Sequence, residues 1–291
     1  MKLNYNTLLK KLKPSLLCLL IFTFLPLTLQ AARPFFCLSI PKCGTHLIQK
    51  MLVLLTRKVP IEPAWFIKSV GAYTFYEDAP AADAEKDYLK FEAIMAGMAA
   101  NNEFATAHLN FSRFFIKFYE THPEYQPIII VRDLRDACVS LVIYQWSEIE
   151  TEIGPSTFDQ KLSWVIEGNY GITHFPILNI KKNAREAALW KKVPQTLFVK
   201  FENLVGPEGG GSSRDQQRSI TKTANALGMR IDEGALAHIC ASIFGNKGPA
   251  VVNGTFRSGQ IGAWKKHFTR KHVKTFRQHL GEYQKALGYF E

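Results

Sequence analysis

Short apolar runs recur along the chain at Phe35 to Ile40 (FFCLSI), Glu103 to Leu109 (EFATAHL), Pro127 to Val131 (PIIIV) and Thr196 to Phe201 (TLFVKF). Runs of this length bounded by polar turns suit strands buried on both faces of a parallel sheet. Between them the apolar positions take helical spacing, which predicts helices over Thr45 to Thr56, Ser112 to Thr121, Ala137 to Trp146, Phe158 to Tyr170 and Gln216 to Leu227. Strand and helix therefore alternate. The expected fold is α/β, a single domain over residues 33–291 with a central, mostly parallel sheet flanked by helices. The one stretch of linker-like composition, Gly206 to Ser213 (GPEGGGSS), reads as a flexible surface loop.

Residues 1–32 follow a different pattern: a basic start ending at Lys13, an apolar run from Leu16 to Leu29, and then Gln30-Ala31-Ala32. This is the layout of a signal peptide, which sends the chain into the secretory pathway or out of the cell. The run has about 14 residues and contains Pro26, short of the roughly 20 that span a bilayer. The alternative is an uncleaved single-pass anchor with its basic end cytoplasmic, which would associate the domain with a membrane.

At 291 residues, 47% apolar and 21% charged, the chain can bury a sizeable core, which excludes wholesale disorder and a disulfide-stapled miniprotein. Its formal charge of +11 is localised. Residues 1–34 carry five basic residues and no acid, and the chain from Thr255 onward carries eight basic residues against Glu282 and Glu291. The long middle is neutral. Such a distribution points to an anion site instead of a generally basic surface, so no nucleic acid partner is expected. Five scattered cysteines (Cys18, Cys37, Cys43, Cys138, Cys240) support neither a disulfide framework nor a metal site.

Three segments carry chemistry. The first strand runs into Pro41-Lys42-Cys43-Gly44-Thr45-His46 and a helix, and successive amides at a helix N-terminus bind phosphate. Gly44 allows close approach, Lys42 adds a full charge and Thr45 a hydroxyl. The loop is not a Walker A motif, because its first glycine is absent and the lysine precedes the remaining glycine. The second segment is Arg132-Asp133-Leu134-Arg135-Asp136 after PIIIV, where a buried strand delivers arginine to the sheet edge used by ligands of open α/β folds. Arg132 and Ser140 could reach one phosphate, while Arg135 and Asp136 are expected in structural ion pairs. The third is FRSGQIGAWKKHFT, Phe256 to Thr269, where Arg257 beside Gly259 and Gly262 lets backbone close over an anion. Lys265, Lys266, Arg270 and Lys271 read as a solvated helix face.

Taken together and in this order, the three segments resemble a sulfotransferase of the type that uses 3'-phosphoadenosine 5'-phosphosulfate, over about Phe35 to Tyr289. The resemblance implies a fold like that of the P-loop nucleotide hydrolases. PKCGTH resembles the family's 5'-phosphosulfate loop, usually PKSGTTW, which assigns Lys42, Cys43, Gly44, Thr45, His46 and Leu47 to the donor. VRDLRDACVS resembles its 3'-phosphate element and implies Arg132 and Ser140 as ligands; RSGQIGAWKKHFT brings Arg257, Ser258 and Gly259 to the same phosphate. LFVKFENL places Phe201, and CASIF places Ser242 and Phe244, beside the donor. EFATAHL aligns His108 with the family's catalytic base, and His46 is the competing candidate. The chain departs from the pattern at Cys43 (serine), Leu47 (tryptophan), Phe201 (tyrosine) and Ala263 (aspartate), and Arg270 and Lys274 depart from the family's dimer segment.

The implied reaction is direct in-line transfer to an acceptor hydroxyl or amine, with His108 removing the acceptor proton and Lys42 stabilising the departing oxygen. It needs no metal. The competing functions are a P-loop-like kinase or nucleotide hydrolase, and a non-catalytic relative that binds nucleotide or anionic glycan. Residues 60–102 and 145–190 are expected to line the acceptor side, and their aromatic, mixed-charge character (Trp65, Phe66, Tyr73, Phe75, Tyr76, Trp146, Trp164) suits a small-molecule, lipid or glycan hydroxyl.

Overall fold

The computed structural model describes residues 31–61, 81–108, 111, 113–144, 154–168, 180–245 and 258–290. The N-terminal segment before residue 31, Arg257 and, of the aromatic residues named for the acceptor wall, all but Trp164 lie outside the described residues.

Five strands, β1 (Phe35–Ser39), β2 (Val59–Ile61), β3 (Glu103–Ala107), β4 (Gln126–Val131) and β5 (Leu197–Lys200), form a sheet in the order β2-β3-β1-β4-β5. Every pairing is parallel. Leu38 pairs with Ala107 on one side and Ile129 on the other, so β1, β3 and β4 end at one edge. From β1 the chain moves toward β3 and β2, whereas from β4 it moves to β5 on the other side. The crevice between the ends of β1 and β4 is thus the point where connections diverge, the usual ligand site of such sheets.

Alternation along the strands divides the core between two faces. Phe35, Cys37, Ile128, Ile130, Leu197 and Val199 pack with α1 (Thr45–Thr56) and later helices, while Phe36, Leu38, Ala105, Ala107, Ile129 and Val131 pack on the opposite side. That second face is covered by α2 (Ala81–Ala100), α3 (Phe114–Thr121), α4 (Leu134–Tyr144), α5 (Phe158–Glu167) and α6 (Ile180–Leu189). A single helical turn, Phe201–Leu204, follows β5, and α7 (Ser213–Ala226), α8 (Glu233–Ser242) and α9 (Arg270–Ala286) complete the chain. Ile220 of α7 and Ile239 of α8 join the face of α1, whereas Phe276 and Leu280 of α9 join the other.

The four expected strands are present, ending at Ser39, Ala107, Val131 and Lys200. Helix α4 starts three residues earlier than its periodicity indicates, at Leu134, and α5 stops at Glu167 because Gly168 takes φ +71°. Strand β2 and helices α2, α6, α8 and α9 extend the expectation. Each has a weak apolar signal: β2 has three residues, α8 buries only Ile239, and α9 buries His272 and Gln284 beside Phe276 and Leu280. Gly206 to Ser213 is no free loop. Pro207–Gly209 form a 3-10 turn, and Gly209 accepts a 3.0 Å hydrogen bond from the amide of Ile261. No described helix is long and apolar enough to cross a membrane.

Candidate active site

The loop after β1 is shaped by two left-handed residues. Lys42 has φ +65° and Gly44, at the N-cap of α1, has φ +105°. A side chain at Gly44 would meet Phe201 Cδ2 at 2.7 Å and Ile130 Cδ1 at 3.1 Å, so only glycine lets the turn lie on the sheet. No side chain caps α1, which leaves its first amides for an anion. Cys43 takes the opposite role. Its thiol is fully buried in the core, burial holds its pKa well above the ordinary value, and its amide donates to Ile40 O at 3.0 Å.

Arg132, just past β4, ties the site together. Its guanidinium lies 4.1 Å over the Phe201 ring and donates to Lys42 O at 3.4 Å and to Gln260 O at 2.8 Å. The side chain is 7% exposed, and its Nε has no hydrogen-bond partner among the described residues. An unsatisfied buried guanidinium donor is costly unless something anionic completes it. Phe201, itself buried, is packed between Gly44 and Arg132 and so holds the two segments at a fixed spacing.

The third segment closes on these two through Asp136. Its buried carboxylate accepts from the amides of Gly262 and Trp264, each at 2.8 Å, and stands 3.9 Å from Arg132. Asp136 thus makes its expected ion pair, with Arg132. Arg135 pairs with Asp133 at 2.6 Å and lies over the Trp264 ring. Asp136 acts through backbone because α4 begins early enough to point it at the 258–264 segment. Gln260 Nε2 donates to Glu208 O at 2.9 Å, and a side chain at Gly209 would stand 2.7 Å from Gly259 O. Ser258 and Gly259 are half-buried in this junction, and Gly259 has φ +61°.

At the end of β3, His108 Nδ1 lies 2.7 Å from Ser39 O and 3.1 Å from Ser39 Oγ, which in turn is 2.7 Å from Thr45 Oγ1. A carbonyl oxygen only accepts, so Nδ1 carries the proton and Nε2 keeps its lone pair. Burial lowers the pKa of His108 despite the Ser39 bond, and the charges of His46 and Lys42 lower it further. His46 is exposed, its pKa lowered by desolvation and then by Lys42. Lys42 Nζ sits 3.4 Å over the ring of Tyr144, at the end of α4. The chemistry available is a neutral imidazole beside a cation-lined phosphate cradle.

The remaining residues are placed as follows. Ser140 is buried on α4, and Leu47 is half-buried against the core of the α1 face. Ser242 closes α8 and Phe244 follows it, both half-buried; Lys50 of α1 reaches Gly245 O at 3.5 Å, joining that end of α8 to the loop helix. The roles of Ser39, Asp136, Tyr144 and Gly209 escaped sequence reasoning. The spacing of Asp136 four residues after Arg132 marks the 3.9 Å pair of these two but not the distant amides, and the others carried no local signal. Among the described residues no group of His, Cys, Asp or Glu could hold a metal ion.

The profile of the sulfotransferase domain family matches residues 32–288. The chain belongs to this family. Its fold is similar to that of mouse sulfotransferase SULT7A1 complexed with PAP, at 19% identity and TM-score 0.56 over 86% of this chain and 83% of that one. Retinol dehydratase is similar too: in complex with androsterone and the inactive cofactor PAP it gives 17% identity and TM-score 0.53 over 89% and 83% of the two chains. In complex with retinol and PAP it gives 16% and 0.54 over 89% and 84%. No curated protein matches the sequence.

Proposed function

We propose that this sulfotransferase moves a sulfuryl group from 3'-phosphoadenosine 5'-phosphosulfate directly to a hydroxyl of a small-molecule acceptor. The observation that carries this reading is the buried, incompletely satisfied guanidinium of Arg132, held where three separate segments meet. The donor supplies an activated sulfuryl group on an anionic leaving group. In this reading the amides at the start of α1, with Lys42 and Thr45, hold the 5' end. Arg132, Ser140, Ser258 and Gly259 hold the 3'-phosphate, and the family pattern adds Arg257, the residue before Ser258 in sequence. Ser242 and Phe244 border the base. The 2.7 Å bond to Ser39 O orients His108 so that Nε2 takes the acceptor proton. Little covalent chemistry is asked of the protein, whose task is positioning and charge stabilisation.

The solved neighbours that carry androsterone or retinol support an apolar alcohol as the first acceptor class to try, with lipid and sugar hydroxyls next. The N-terminal segment supports an exported protein cleaved near Ala32. Incubation with the labelled donor and an acceptor panel, read by mass spectrometry, tests the function. A product heavier by one sulfuryl group is expected, and consumption of ATP with the labelled donor left intact would contradict it. N-terminal sequencing of the mature chain tests the cleavage.

A further inference from the structure

Three consecutive residues at the end of β5 grip different parts of the molecule. Lys200 Nζ donates to Gly288 O at 2.6 Å and lies 4.5 Å over the ring of Tyr289. Phe201 packs between Gly44 and Arg132. Glu202 accepts from the amide of Asp133 at 2.9 Å through one oxygen and from the hydroxyl of Tyr289 at 2.5 Å through the other. Gln284 of α9 adds to the same turn. Its oxygen accepts from the amide of Leu134 and its nitrogen donates to Asp133, both at 2.9 Å. Tyr289 therefore reaches the peptide that follows Arg132 through the Glu202 carboxylate, and Gln284 reaches it directly. Burial pushes the pKa of Glu202 up, and the bonds from the Asp133 amide and the Tyr289 hydroxyl, with the Arg132 charge, oppose that.

We propose that Tyr289 is a positioning residue for donor binding. It holds Glu202 against the Asp133 amide and so fixes the backbone that presents Arg132. Removal of its hydroxyl leaves Glu202 with a free oxygen to rotate, and the turn at Asp133 loosens without any loss of core. This inference rests on the donor reading given above.

The test compares wild type, Tyr289→Phe, Glu202→Gln and the double variant, all in the full-length chain. Each is measured for affinity for adenosine 3',5'-bisphosphate, for donor and acceptor KM, and for kcat. Tyr289→Phe is expected to weaken bisphosphate binding and raise donor KM roughly three- to tenfold, with acceptor KM and kcat within about twofold. In the Glu202→Gln background the same change should add little, because one pathway carries both effects. Unchanged bisphosphate affinity in Tyr289→Phe overturns the inference, as do parallel changes in acceptor KM or fully additive effects in the double variant. A wild-type chain that binds no bisphosphate overturns the donor reading and this inference with it.

Discussion

The Nδ1 atom of His108 stands 2.7 Å from the carbonyl oxygen of Ser39, and that one bond fixes which nitrogen of the ring is basic. Because the carbonyl can only accept, Nε2 is the free base. Burial and the neighbouring charges of His46 and Lys42 keep the ring neutral to lower pH than an ordinary histidine. The sign follows directly: protonation destroys the base, so kcat rises with pH through a value below about 6.5 and is flat above it. His108→Ala should lower kcat by about 10²–10⁴ and abolish the acid limb while bisphosphate affinity stays near wild type. Equal loss of binding would remove His108 from the role of base.

Asp136→Asn should loosen the segment that closes over Arg132. Asparagine offers one side-chain acceptor where the amides of Gly262 and Trp264 need two, and it turns an N–H toward the other. An unpaired buried amide costs about 1–3 kcal/mol, so Tm should drop and bisphosphate affinity fall roughly tenfold. Calorimetric titration that shows unchanged affinity would mean the segment is held without Asp136.

Two glycine-to-alanine changes should have opposite signs. At Gly44 the left-handed backbone costs about 1–2 kcal/mol, and the new methyl would stand 2.7 Å from the Phe201 ring that supports Arg132. Gly44→Ala should therefore lower both Tm and donor affinity. Gly97 lies inside α2 with nothing within 4 Å, and Gly97→Ala should raise stability by up to about 1 kcal/mol with no effect on the donor. Thermal denaturation with and without bisphosphate reads both.

The sheet was legible because buried parallel strands are continuous apolar runs, and FFCLSI and PIIIV have no other comfortable setting. The positions of the 41–46 loop and of Arg132 followed from the strands that precede them. What the sequence hid depends on tertiary closure. Nothing local distinguishes Asp136 as a partner of distant amides from an ordinary helix carboxylate, and Tyr289 meets Glu202 across 87 residues of chain. Gly206 to Ser213 misled because Gly209 serves close backbone approach to Gly259 and Gly211 to Glu202, a need that composition does not separate from flexibility. Cys43 reads as a loop residue in a phosphate motif, yet its side chain turns into the core.

In the proposed reaction the Lys42 charge acts where negative charge develops, so Lys42→Met should spare folding and lower turnover by roughly 10²–10³. Steady-state kinetics at saturating donor check it. A loss confined to donor KM would place Lys42 in ground-state binding alone.

Calorimetric titration of the full-length chain with adenosine 3',5'-bisphosphate, against ATP with magnesium as the comparison and Arg132→Met as the control, tests the donor site most directly. The bisphosphate should bind far more tightly than ATP with magnesium, and Arg132→Met should lose that preference. Preferential binding of ATP with magnesium, or bisphosphate binding indifferent to Arg132, would contradict the account.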